Sequence, residues 1–340
     1  KNVRDAAWAA SPEYLWDATS WKGILAQAYY RPSARTPWLD AADQARMSIQ
    51  EYSERWFAYP YPQISAVEGP VTGMEYPMLA MEARGQAKQD LYDVVTHEIG
   101  HNWFPMIVGS NERLHAWMDE GFNTFVNSFA VARRFPGLHP EETSRAMVEQ
   151  ALRDGLKVPL DRPSDRVPGQ LLGFTDYTKP AVGLHLLREE ILGPTVFDSA
   201  FRAYITRWAF RHPAPADFFR TIEAVSGTRL DWFWRGWFLE GATFDQGIDT
   251  AFVAHQGSDS ILVVGVGNHA RGVLPVRLRL TYTDGSRQDF AFPVEVWIAD
   301  ERRWAHGFVL GGKGVRQVEL DPEHRLIDIN RDNNAWSPAR

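Results

Sequence analysis

The stretch His97-Glu98-Ile99-Gly100-His101, with Glu120 in Trp117-Met118-Asp119-Glu120-Gly121-Phe122-Asn123 after an interval of eighteen residues, decides how this sequence is read. Leu91-Tyr92-Asp93-Val94-Val95-Thr96 before it carries a helical pattern, so His97 and His101 stand at i and i+4 on one helical face. Two imidazoles so placed can reach one ion. Glu98, one residue along, projects differently and can address a water on that ion. A turn at Gly109-Ser110-Asn111 and an antiparallel return would bring the Glu120 carboxylate back over the two His. Trp117, Met118, Phe122 and Phe125 form an apolar face beside Glu120, and an ionised group there needs a partner. Two His on a solvated helix, or a surface carboxylate, would explain either half alone. Together they form a catalytic zinc set, in which three protein ligands leave a fourth position for water. The expectation is one Zn²⁺ held by His97, His101 and Glu120, with Glu98 as general base.

The rest of the composition excludes other chemistries. The 340 residues contain no Cys, so neither disulfides nor thiolate metal sites are available. A net charge of −7 and a pI near 5.8 lack the basic stripe that binds nucleic acid. No apolar run approaches the roughly 20 residues of a membrane span. The other eight His have no ligand-like spacing, and Gly265-x-Gly267 opens no helix as a phosphate fingerprint must. Asp328-x-Asn330-x-Asp332 lacks the later Gly and Glu of a calcium loop and reads as a terminal turn. Lys1 is no initiator Met, so the chain reads as a processed protein or a piece of a larger one. No compartment is assigned.

Patterning divides the chain into three parts and an α+β class. Ala6-Ala7-Trp8-Ala9 and Ile24 to Tyr30 look extended and end at Arg31-Pro32, so residues 1–32 read as the remnant of an N-terminal β domain. From Pro37 to about Phe57 a helical pattern runs, with Thr36 as N-cap. Gln63 to Glu68 and Gly73 to Met81 read as short strands, and helical periodicity then dominates to about Glu240. Residues 33–246 are therefore a mostly α domain with a small β-sheet. Beyond them come strand patterns: Ile261 to Val264, the alternating Val276 to Tyr282 closed by Asp284-Gly285, Phe290 to Trp297, Val315 to Leu320 and Arg325 to Ile329. Residues 247–340 are expected to form an all-β sandwich.

His-Glu-x-x-His, eighteen residues, then Glu-Gly-Phe resembles the gluzincin aminopeptidases, the family of aminopeptidase N and leukotriene hydrolase. Gly73-Met74-Glu75-Tyr76 is similar to that family's Gly-x-Met-Glu-Asn segment, with Tyr76 in place of Asn. Asp176-Tyr177-Thr178-Lys179 resembles its Tyr-x-Lys segment, and weaker likenesses run through Phe201-x-x-Tyr204, Asp217-Phe218-Phe219 and Trp234-x-x-Trp237. The likeness covers most of residues 1–246. It implies a thermolysin-like catalytic domain, Tyr177 as donor to the oxyanion, and Gly73, Met74 and Glu75 as the substrate-binding segment. Glu75 would pair with the α-ammonium of a peptide with a free N-terminus and reject chains that continue past it. Gly73 would let the strand approach the peptide backbone. Asn127 stands where the family often carries a carboxylate behind a zinc-bound His, and its amide can accept one imidazole hydrogen bond. A preceding N-terminal domain is the expected partner, helping to wall the first pocket. The alternatives are a zinc endopeptidase of the same fold, with Glu75 merely structural, and a peptide-binding module with impaired catalysis.

Overall fold

Lys22-Gly23 sets the first hairpin. Both residues have positive φ, 48° and 83°, which a two-residue turn between right-twisted strands requires. The turn joins β1 (Leu15–Trp21) to antiparallel β2 (Ile24–Tyr30). These assignments come from a computed structural model that describes residues 3–82, 88–256 and 259–338. Residues 6–9, expected to be extended, belong to no strand; Ala-Ala-Trp-Ala offers no β-branched side chain to pack across a ladder. Three further strands, β3 (Gln63–Glu68), β4 (Met74–Tyr76) and β5 (Leu79–Glu82), complete a sheet in the order β1-β2-β3-β5-β4. There β2, β3 and β5 run parallel, and β4 is an antiparallel edge.

Where one helix is expected from 37 to 57 there are two, α1 (Arg35–Trp38) and α2 (Ala41–Arg55), and Thr36 lies inside the first. The break buries Trp38 completely and leaves Leu39 in solvent. Ala41, Ala45, Ile49 and Tyr52 form the buried face of α2, which packs on β1, β2 and β3. Next, α3 (Lys88–Gly100) lies against β5 and α2, with Leu91, Val95 and Ile99 fully buried at helical spacing. The remaining long helices are α4 (Glu120–Arg134), α5 (Pro140–Arg153), α6 (Lys179–Leu186), α7 (Pro194–Trp208) and α8 (Pro215–Ser226). Phe122 of α4 is ringed by Phe218 at 4.7 Å, Phe104 at 5.2 Å, Trp117 at 5.5 Å and Phe201 at 5.6 Å between centroids. Burying one such ring is worth roughly 1.5–3 kcal/mol. This cluster therefore anchors the start of α4, where Glu120 sits.

Seven more strands form the sandwich: β6 (Gln246–Gln256), β7 (Asp259–Asn268), β8 (Val276–Tyr282), β9 (Arg287–Phe292), β10 (Arg303–Val309), β11 (Val315–Leu320) and β12 (Ala335–Trp336). They make sheets in the orders β10-β7-β6 and β12-β11-β8-β9. Leu262, Val264 and Val266 pack with Val276, Leu278, Leu280 and Val318 in a shared core. The expected strand from Phe290 to Trp297 stops at Phe292: Pro293 has no N–H for a ladder, and Trp297 turns inward to donate to Leu274 O at 2.8 Å. Arg325 to Ile329 is not a strand either, because the Asp321 carboxylate accepts the Arg325 and Leu326 N–H groups, both at 3.0 Å, and curls the chain.

The molecule is thus α+β, with a mostly helical part that carries a small sheet and a C-terminal β-sandwich. It has two compact units, one of residues up to 144, 161–184 and 194–228, the other of 145–160, 185–193 and 229 onward. The sequence-based division at 32 and 246 follows local patterning; the units cut the chain elsewhere because β1 and β2 pair into the sheet of the residues that follow. Among the described residues no helix is long and apolar enough to cross a membrane.

Candidate metal centre

The two imidazoles project from the end of α3 with centroids 4.8 Å apart and planes nearly perpendicular. Glu120, the first residue of α4, returns over them: its Oε2 lies 3.1 Å from His97 Nε2 and 3.3 Å from His101 Nε2. His97, His101 and Glu120 each bring a ligand atom within 4.8 Å of the others. Two glycines of the motif make this convergence possible. A Cβ on Gly100 would stand 2.0 Å from Asn123 Oδ1, and Asn123 Nδ2 donates to His97 O at 2.8 Å, so α4 docks directly on the last turn of α3. A Cβ on Gly121 would meet Pro180 Cβ at 2.6 Å. Its absence lets the 176–180 segment close on the site.

Asp119 is a functional residue that the sequence reading missed. Its Oδ1 lies 2.8 Å from His101 Nδ1, which is also 2.8 Å from Phe104 O. With Nδ1–H donated on that side, the Nε2 lone pair faces Glu120 and is free to ligate. The signal available in sequence was a second carboxylate beside Glu120 in an apolar stretch. Asn127, read as the group behind an imidazole, instead has its Oδ1 3.2 Å from the Tyr52 hydroxyl. It lies two turns along α4 from Glu120 and faces α2.

Around this triad the other sequence candidates gather. Glu98 is 4% exposed, and its Oε2 is buried with no hydrogen-bond partner among the described residues. Burial pushes its carboxyl up to about 8, against the pull of His101. On the edge strand β4, Glu75 brings a carboxylate oxygen within 4.8 Å of those of Glu98 and His101. Burial raises its pKa too, and the nearby His101 opposes the shift. Gly73 precedes β4 at φ 68°, and a Cβ there would lie 3.4 Å from Glu98 Oε1. Strand alternation sends the Met74 side chain to the face opposite Glu75, so Met74 adjoins the site through its backbone. The Tyr177 hydroxyl donates to Glu120 Oε1 at 2.6 Å, and its ring stacks on His97 at 5.8 Å. Burial, reinforced by Glu120, keeps that hydroxyl protonated. Burial also works against charge on Glu120, yet the imidazoles, His101 foremost, hold its carboxyl well below the usual range. Two imidazole nitrogens converging on one ionised carboxylate, with an orphaned carboxylate oxygen beside them, fit a divalent cation of the zinc kind.

A His-Glu-x-x-His helix closed by a Glu from the next helix, beside an edge strand, defines a gluzincin-type centre. Residues 43–237, more than half of the chain, match the Peptidase family M1 domain, and the chain belongs to that family. It is similar to Aminopeptidase M1 of Arabidopsis thaliana, 25% identical over 252 residues that cover 66% of this chain and 28% of the relative. Aminopeptidase A of Gloydius brevicauda is 25% identical over 250 residues, 65% of this chain and 25% of that protein. Probable aminopeptidase 2 of Sulfurisphaera tokodaii is 25% identical over 253 residues, 70% and 32%. The chain thus spans a quarter to a third of the length of these relatives. Its fold is similar to that of Legionella pneumophila aminopeptidase A, crystallised in complex with aspartic acid. The TM-score is 0.67 at 15% identity, covering 87% of this chain and 36% of that one.

Proposed function

We propose that this chain is the catalytic part of a zinc-dependent aminopeptidase, which hydrolyses the N-terminal peptide bond of peptides. The observation that carries the reading is the placement of Glu75: an edge-strand carboxyl set beside Glu98 and the His97–His101–Glu120 triad. A carboxylate there pairs with a free α-ammonium next to the bond that reacts, and a peptide continuing in that direction would collide with it. The names of the relatives, all aminopeptidases, support the same reading.

His97, His101 and Glu120 would hold the Zn²⁺, which when bound supplies a water of lowered pKa and polarises the scissile carbonyl. Glu98 takes the proton of the attacking water and delivers it to the leaving amine. Its second oxygen is already desolvated and unpaired, so it needs no reorganisation to accept. The protonated Tyr177 hydroxyl, beside His97 and Glu120, donates to the developing oxyanion. Asp119 fixes the His101 ring, and the free edge of β4 offers backbone groups to the peptide. Preceding residues of the whole protein complete the pocket around the substrate amine.

The test uses the whole protein with metal measured by elemental analysis. One zinc per chain, cleavage of aminoacyl fluorogenic amides, and a loss of about 100-fold or more in Glu98→Gln with zinc retained are expected. Zinc without turnover would leave a peptide-binding module. Equal cleavage of N-acetylated substrates would leave an endopeptidase.

A further inference from the structure

We propose that Glu82 is a positioning residue for the substrate-binding strand: it clasps both ends of the loop between β3 and β4, and so fixes Gly73 to Glu75 against Glu98. The inference rests on reading β4 as the strand that receives the peptide.

The clasp has two halves. Through its backbone, Glu82 O accepts the Gly69 N–H at 2.7 Å, just where β3 ends. Through its side chain, Glu82 Oε2 accepts the Gly73 N–H at 3.4 Å, just before β4 begins. Gly73 has φ 68°, a left-handed turn whose N–H lies outside the ladder and needs a partner of its own. The register agrees. Met74 stands opposite Met81 and Glu75 opposite Ala80, so one step further Gly73 stands opposite Glu82. Alternation then puts Gly73, Glu75, Ala80 and Glu82 on one face of the sheet. A Cβ at Gly73 would lie 3.4 Å from Glu98 Oε1, so that face looks at Glu98.

A carboxyl is a costly choice for this position. Glu82 is fully buried, and its Oε1 has no partner among the described residues. Burial, with Glu98 nearby, pushes the group up to about 9, so it is a neutral acid at physiological pH. An apolar side chain would fill the strand position without that desolvation penalty, but it would leave the Gly73 N–H unmatched. A neutral amide of the same shape, by contrast, can replace the acid.

Four forms of the whole protein test this: wild type, Glu82→Gln, Glu82→Leu and Glu82→Met. Each is checked for folding by its melting temperature and for zinc content. With an aminoacyl fluorogenic amide bearing a free N-terminus, Leu and Met should raise KM about tenfold while kcat stays within about threefold, and Gln should hold KM within about twofold. Unchanged KM in folded Leu and Met variants overturns the proposal, as does a Gln variant as impaired as they are. Backbone amide exchange of segment 69–77 gives a readout independent of activity. Exchange about tenfold faster in Leu or Met than in wild type and Gln supports the clasp, and unchanged exchange overturns it. Should the wild type fail to cleave the free aminoacyl substrate, the functional reading falls and the exchange result still decides the role of Glu82. Should Leu and Met not fold, Glu82→Gln decides alone, because a tenfold rise in its KM contradicts a clasp made by a neutral acceptor.

Discussion

Asp119 and Gly100 each act at the metal site through a contact of a few atoms. Removing the Asp119 carboxylate frees the His101 ring to rotate and to change tautomer. Asp119→Ala should weaken zinc binding about 10–100-fold, and Asp119→Asn, which keeps an acceptor, should weaken it less. Competition with a chromophoric chelator measures this, and equal affinity in all three proteins would remove Asp119 from the site's support. Gly100→Ala places a methyl where Asn123 Oδ1 already stands, 2.0 Å away. A loss of about 1–3 kcal/mol in denaturant unfolding is expected, and wild-type stability would show that α4 does not dock so tightly. His97, Glu98 and His101 could be read from sequence because i, i+4 spacing is a local property of a helix. Asp119 could not, since its contact with His101 exists only once the eighteen intervening residues have turned back. Counting along α4 pointed to Asn127, whose direction depends on where α2 packs.

At the scale of elements, α4 is held by aromatic packing more than by its caps, for its N-cap Asp119 makes no side-chain capping bond. Phe122, two residues beyond Glu120, is fully buried among four rings. Phe122→Ala should cost about 3–5 kcal/mol and weaken zinc binding along with stability. A variant that unfolds earlier yet binds zinc as tightly would separate the cluster from the site. The apolar face of α4 was legible in Phe122 and Phe125. Strand ends in the sandwich were less so, because they are set by single polar events such as the missing N–H of Pro293 and the Asp321 carboxylate. The β1–β2 hairpin was missed in part for a similar reason: its register comes from the backbone angles of Lys22 and Gly23, not from an apolar run.

For the whole molecule, two buried titratable groups shape the pH dependence of stability, one in each compact unit. The Glu82 carboxyl is raised to about 9, so the folded chain holds its proton more tightly than the unfolded chain does. Its contribution is complete below the ordinary carboxyl range and is lost as pH rises through about 9. His185 is pushed down to about 3 by burial, then by Arg188 and Arg145. Its contribution is present above about 6.5 and is lost as pH falls toward 3. Melting temperatures followed across pH should therefore fall less steeply on the alkaline side in Glu82→Gln and on the acid side in His185→Gln. Slopes identical to wild type would mean that neither group is desolvated as described.

The reading of this family member as an aminopeptidase depends most on Glu75. Its most direct test is the ratio of kcat/KM for a free aminoacyl amide to that for its N-acetylated counterpart, measured on the whole protein before and after Glu75→Ala. A ratio of about 100 or more in the wild type, collapsing toward 1 in the variant because the free substrate alone loses rate, is the expected result. A wild-type ratio near 1, or a large ratio that survives Glu75→Ala, would contradict the assignment of Glu75 as the group that reads the peptide's N-terminus.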